Sequence, residues 1–101
     1  MVSDVYRHTK SFPKEEIFGL TSQLRRAAVS VPSNIAEGAA RLSRKEFRQF
    51  LSIARCSLAE IETQLLIAQN LGYCTTDQVL EGRIQALFRL LAGLMKKLEQ
   101  E

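Results

Sequence analysis

Between positions 47 and 68 the apolar residues Phe47, Leu51, Ala54, Leu58, Ile61, Leu65 and Ala68 follow one another at steps of four, three, four, three, four and three. That register is a heptad seam. It puts every one of these side chains on one stripe of an α-helix, the pattern of rods packed side by side at about 20°. A strand would scatter them over both of its faces, because strand side chains alternate. A striped helix must bury its stripe against something. The same alternation returns at Leu80, Ile84, Leu87, Leu91, Leu94 and Leu98, where Phe88 and Met95 widen it enough to meet more than one neighbour.

The ends of these two segments carry stop and start signals. Ser43 with Glu46 three residues later is a capping box, in which the hydroxyl serves an orphan amide and the carboxylate reaches back. Gly72, free to adopt a left-handed conformation, closes the first segment. Thr75 with Gln78 reads as a second capping box, and Lys96 and Lys97 complement the dipole of the last helix. The predicted helices are 43–71 and 76–100.

A third stripe, Leu20, Leu24, Ala27, Val31, Ile35 and Gly38, predicts a helix over 20–40, with Arg26, Ser30, Ser33 and Glu37 forming a polar stripe on another side. Pro32 sits inside it. An interior proline removes a backbone bond and crowds the preceding turn, at a cost of about 3 kcal/mol. The expectation is a Pro-kinked helix in which Asn34 or a neighbouring hydroxyl serves the freed carbonyls, while Gly38 admits a close neighbour. Arg25, beside the apolar face, is expected to reach an acidic residue such as Glu60 or Glu62 on another helix or subunit.

Ahead of this, Val2, Val5 and Thr9 keep helical spacing over 2–10, which is only about two turns and marginal alone. Phe12-Pro13 ends it. Residues 14–18 form one turn, with Pro13 at its start and Gly19 closing it. Four helical segments with short connections, and no stretch of strand alternation, predict an all-α, up-down-up-down four-helix bundle with a Pro-kinked second helix, a single domain over 1–101.

Composition adds exclusions. No run approaches the roughly 20 apolar residues of a membrane span, and Arg89 interrupts the richest stretch. The first residues lack the basic and apolar regions of a signal peptide. Cys56 and Cys74 stand in unrelated settings, so the reading is a cytoplasmic protein with reduced thiols. Neither cysteine has metal-site spacing, and His8, the sole histidine, reads as a surface residue near a frayed end. There is no phosphate-cradling glycine loop and no nucleophile elbow, and Glu60 and Glu62 lie on different helix faces. No catalytic residue, metal or cofactor is expected, and the chain is read as a non-enzyme.

Charge is uneven. Residues 1–48 hold nine Lys/Arg against five Asp/Glu, and residues 49–101 hold five against six. Arg41, Arg44, Lys45 and Arg48 crowd the start of the 43–71 helix, where cations oppose the dipole unless an anion is present. With Lys10, Lys14 and Arg7 as an extension, this cluster is the candidate nucleic-acid-binding site. No aromatic RNA-recognition motif interleaves these cations, so contact is expected with phosphates rather than bases. The bland alternative is a solvated charged turn.

The run Leu20-Thr21-Ser22-Gln23-Leu24-Arg25-Arg26-Ala27-Ala28-Val29-Ser30-Val31-Pro32-Ser33-Asn34-Ile35-Ala36-Glu37-Gly38, continued at residues 43–51, 57–65 and 71–73 and preceded by residues 10–16, resembles a bacterial family. Its members are the four-helix bundle proteins encoded in intervening sequences of 23S ribosomal RNA genes. The resemblance covers most of the chain, with Arg25, Arg26, Pro32, Asn34, Glu37 and Gly38 as its signature. It implies a homo-oligomeric ring, often a homopentamer, without established catalytic activity. Relatives in fold serve as accessory subunits of reverse transcriptases in diversity-generating retroelements, although that branch lacks the Pro-Ser-Asn-Ile-Ala-Glu-Gly signature. The resemblance thus points to RNA, a reverse transcriptase or a second copy as partners. Against the family the first helix is shorter by about half, which implies either a truncated helix or a native start upstream of Met1. The chain also departs in Cys56 and Cys74, which replace a small and an aliphatic residue.

Overall fold

The computed structural model describes residues 1–100, with side chains placed through residue 99; Glu101, the last residue of the 1–101 span, lies outside them. Four α-helices follow in order: α1 Val2–Thr9, α2 Leu20–Ala39, α3 Arg44–Asn70 and α4 Gln78–Gln100, with a 3₁₀ turn at Lys14–Glu16. There is no strand among the described residues. The heptad seam of α3 is the axis of the core. Leu51, Ala54, Leu58, Ile61, Leu65 and Ala68 are buried, and Phe47 packs partly covered at the end.

The helices α2 and α3 form the most extensive pair. Contacts run from Gly38 with Phe47 and Phe50, through a hydroxyl pair between Ser30 and Ser57 at 2.9 Å, to Gln64 with Gln23. As one number rises the other falls, so the two rods are antiparallel. The α3–α4 pair is antiparallel too, with Gln85 donating to Glu62 at one level and Met95 beside Ser52 at another.

Gly38 is what lets α2 and α3 come together. A Cβ there would lie 2.7 Å from the Phe50 Cβ and 3.0 Å from the Phe47 ring. Helix α2 runs unbroken through Pro32. The Asn34 amide donates to the Ser30 carbonyl at 2.8 Å and to the Ser30 hydroxyl at 2.9 Å. Its help therefore falls on Ser30 and not on Ala28, the carbonyl that the proline leaves unserved.

Gly72 at φ +76° ends α3, with Tyr73 N–H bonding the Ala68 carbonyl and Gly72 N–H that of Gln69. This is the paired-bond stop that glycine permits. The Ser43 hydroxyl accepts from the Glu46 amide at 3.2 Å, which is one half of the expected box; the Glu46 carboxylate turns to Arg41 instead. The start of α4 differs from expectation. Asp77, not Thr75, is the cap, its Oδ1 accepting from the Val79 and Leu80 amides at 3.1 Å each. An ionised carboxylate at that position outcompetes a hydroxyl two residues earlier.

The end of α1 is likewise firmer than the spacing predicts. Val5 is fully buried, and Asp4 bonds Arg83 of α4 at 2.6 Å. His8 is a partner rather than a surface residue: its Nε2 lies 2.8 Å from Asp77 Oδ2. Arg25 is corrected as well. Its Nε donates to Thr9 Oγ1 at 2.8 Å and its guanidinium sits 4.8 Å over the Tyr6 ring, so it ties α2 to α1 and meets neither Glu60 nor Glu62 within the chain.

Candidate nucleic-acid interface

The α2–α3 turn at residues 40–43 is set by the close approach at Gly38 and by the Ser43 cap, and together these fix where the first turn of α3 projects its cations. Arg41, Arg44 and Lys45 are exposed there and Arg48 is half-buried. Arg41 is partly committed inward: its guanidinium stacks 5.0 Å over the Phe50 ring and lies 3.6 Å from Glu46. Arg44 also has a partner. Lys45 and Arg48 line an open groove with Gln49, Ser52, Met95 and Glu99.

Beside that groove stand two cations that the spacing alone does not assign. Because α4 is antiparallel to α3, its last turns lie beside the first turns of α3, and exposed Lys96 and Lys97 join the same end of the molecule. The signal was present in the short connection between two long helices, which forces their far ends together.

Lys10 and Lys14 do not join this cluster. They stand at the opposite end, where Glu16 accepts from the Tyr73 hydroxyl at 2.9 Å and Ser11 meets the Tyr73 carbonyl. The whole length of α2 separates the two sets, about 30 Å at 1.5 Å per residue, in a molecule 46 Å long. Arg7 is at that far end too, paired with Asp4 and Asp77. Seven basic positions expected as one patch are thus split, four at the α3 start and three at the α1 pole.

Of the signature residues, Gly38 sets the helix approach, Arg25 pins α1, and Asn34 braces the turn around Pro32. Arg26 and Glu37 are exposed. The duties of Gly38, Arg25 and Asn34 are structural, and Arg25, Arg26 and Asn34 share an open groove on the outer side of α2 with Tyr6 and Val29.

Elsewhere the electrostatics are those of a brace. The Arg83 hydrogen bond holds the Asp4 carboxyl below its ordinary value, against the opposing effect of burial. Asp77 is lowered chiefly by His8 and then by the Leu80 amide. Tyr73 is raised by its bond to Glu16. Among the described residues no group of three or more His, Cys, Asp or Glu is placed to hold a metal ion, and no helix is long and apolar enough to cross a membrane.

Comparison with known protein families matches residues 1–93 to the model described as 23S rRNA-intervening sequence protein. A search of curated proteins gave no match.

Proposed function

The chain belongs to the 23S rRNA-intervening sequence protein family, and from that premise we propose that it is a non-catalytic, self-associating cytoplasmic scaffold that binds structured RNA through the basic end of its bundle. The observation that carries the reading is the groove where Lys45 and Arg48 of α3 face Met95 and Glu99 of α4, with exposed Lys96 and Lys97 next to it along α4. Cations in the first turn of a helix oppose its dipole, and a phosphate beside them relieves that conflict while taking up the N-terminal amides. One copy offers a weak site. Copies arranged around an axis repeat it, and linked weak sites gain avidity without new contacts.

Self-association draws support from apolar side chains that the single chain leaves uncovered, among them Val29, Ile53, Leu66 and Leu90. A ring of five is the assembly proposed. A second reading, favoured by the same exposed residues, is a protein adaptor or reverse-transcriptase accessory with no RNA affinity of its own.

Binding to a structured RNA, titrated with salt, separates the two. The RNA reading expects affinity that falls steeply with salt, and reversal of Arg44, Lys45 and Arg48 to Glu flattens the slope by about two, at roughly 0.7–0.9 per lost phosphate contact. Unchanged binding in that triple variant, or none at low salt in the parent, sinks the RNA reading. A mass in solution equal to one chain sinks self-association.

A further inference from the structure

A cavity of about 280 Å³ opens between the C-terminal half of α3 and the N-terminal half of α4, far from the basic end. Its floor is core: Leu65, Leu80 and Ile84, none more than 6% exposed. Its rim is acidic. Glu62 and Glu81 face it from opposite helices, and the one basic side chain in its lining, His8, is held against Asp77.

Two of these charges are uncompensated. Glu62 accepts a hydrogen bond from Gln85 at 2.8 Å, which orients the carboxylate without neutralising it. Glu81, one turn before Gln85 on α4, makes no ion pair among the described residues. The remaining carboxylate, Asp77, is already engaged by His8 and Arg7. The cavity therefore offers an apolar floor near the lower limit of about 300 Å³ for small-molecule sites, under a rim that attracts positive charge.

We propose that this cavity binds a small organic cation, a primary amine carrying a compact apolar body. The body covers the apolar wall that the cavity leaves in water, Leu66 above all at 58% exposed, over the buried floor of Leu65, Leu80 and Ile84. The ammonium, with three donors and no acceptor, meets Glu62 and Glu81 at the mouth. An anion is repelled by both carboxylates, and a neutral molecule leaves both of them facing solvent as before. A cation alone is the species for which rim and floor act together.

The cavity holds its own reporter. Cys74 lines it, while Cys56 lies exposed on α3 outside it and serves as the internal reference. Burial raises the Cys74 thiol, so its alkylation is slow and readily followed. The probe is phenethylamine, with 2-phenylethanol as a neutral molecule of nearly the same shape. Alkylation of each cysteine by iodoacetamide is followed by mass spectrometry at rising probe concentration. The amine is expected to protect Cys74 and leave Cys56 unchanged, and the alcohol to need about fivefold more for the same protection, the ratio that one modest ion pair gives. The double variant E62Q/E81Q, exposed at both positions, removes that advantage, so amine and alcohol protect alike. Equal protection by the two probes in the parent chain overturns the proposal, as does an amine that leaves Cys74 alkylation untouched at millimolar concentration. Should the variant fail to fold, the parent's amine-to-alcohol ratio and its loss in high salt decide the matter alone.

Discussion

Arg83 of α4 reaches across to Asp4 of α1 and donates to its carboxylate at 2.6 Å, the acid being almost wholly covered while the guanidinium is half in solvent. With His8–Asp77 and Arg25–Thr9 it is one of the polar ties between an eight-residue helix and the rest of the molecule. Because the buried partner is the acid, losing the arginine leaves a covered carboxylate short of a donor. Arg83→Met is expected to lower unfolding free energy by about 1–2 kcal/mol in urea titrations, the range for a charged hydrogen bond at a part-exposed site.

The same tie sets an acid limit. Asp4 is held below its ordinary value first by the Arg83 hydrogen bond, and Asp77 first by His8 and then by the Leu80 amide. A folded-state value below the unfolded one, about 3.9 for aspartate, means the contribution is complete above that pH and is lost as pH falls through the lower folded value. Urea midpoints are expected to hold steady from pH 7 to about 5 and to drop below about 4. Asp4→Asn should flatten the drop, and an undiminished drop in that variant counts against this assignment.

Gly38 predicts a packing penalty. A methyl group there meets the Phe50 Cβ at 2.7 Å, and that atom cannot move without its helix. Overpacking of this kind costs about 1–3 kcal/mol, and alanine returns up to about 1 kcal/mol of helix propensity. Gly38→Ala should therefore lose about 1–2 kcal/mol net. Thermal melting is the measurement, and a gain in stability would contradict the close approach.

Pro32 predicts the opposite sign. Its ring is exposed and its neighbours are helical, so Pro32→Ala restores one backbone bond at no loss of core. The expected outcome is stabilisation by about 1–3 kcal/mol, the helical penalty of proline less whatever the surrounding structure has already relaxed.

The two candidate caps of α4 can be set against one another. Asp77→Ala removes the acceptor for two amides and the partner of His8, whereas Thr75→Ala removes neither. The first should lower the urea midpoint clearly, and the second should leave it near the parent value.

What could be read from the residues was what repeats. The α3 seam, the α4 stripe and the glycine stop at Gly72 all declare themselves within a few turns, because local geometry alone decides them. The cap at Asp77 was obscured because Thr75 and Gln78 match the pattern of a capping box equally well, and only the backbone path tells which oxygen reaches the amides. His8 with Asp77, Arg25 with Thr9, and Arg83 with Asp4 pair across gaps of 69, 16 and 79 residues. Such pairings depend on how the rods lie together, which no local spacing encodes. The basic set divides for a related reason: Lys14 and Arg41 look close along a charged N-terminal half, yet a full helix stands between them as a strut.

Most ties between distant segments gather at one pole. The short first helix, the 3₁₀ turn, the Tyr73–Glu16 link and the acid–arginine tie sit where α2 begins and α3 ends. At the other pole the two rods touch at Gly38, with Arg41 laid over Phe50 beside Glu46. A side chain added at position 38 would prise the rods apart where they lie closest, and would carry the first turn of α3 and its cations outward with it.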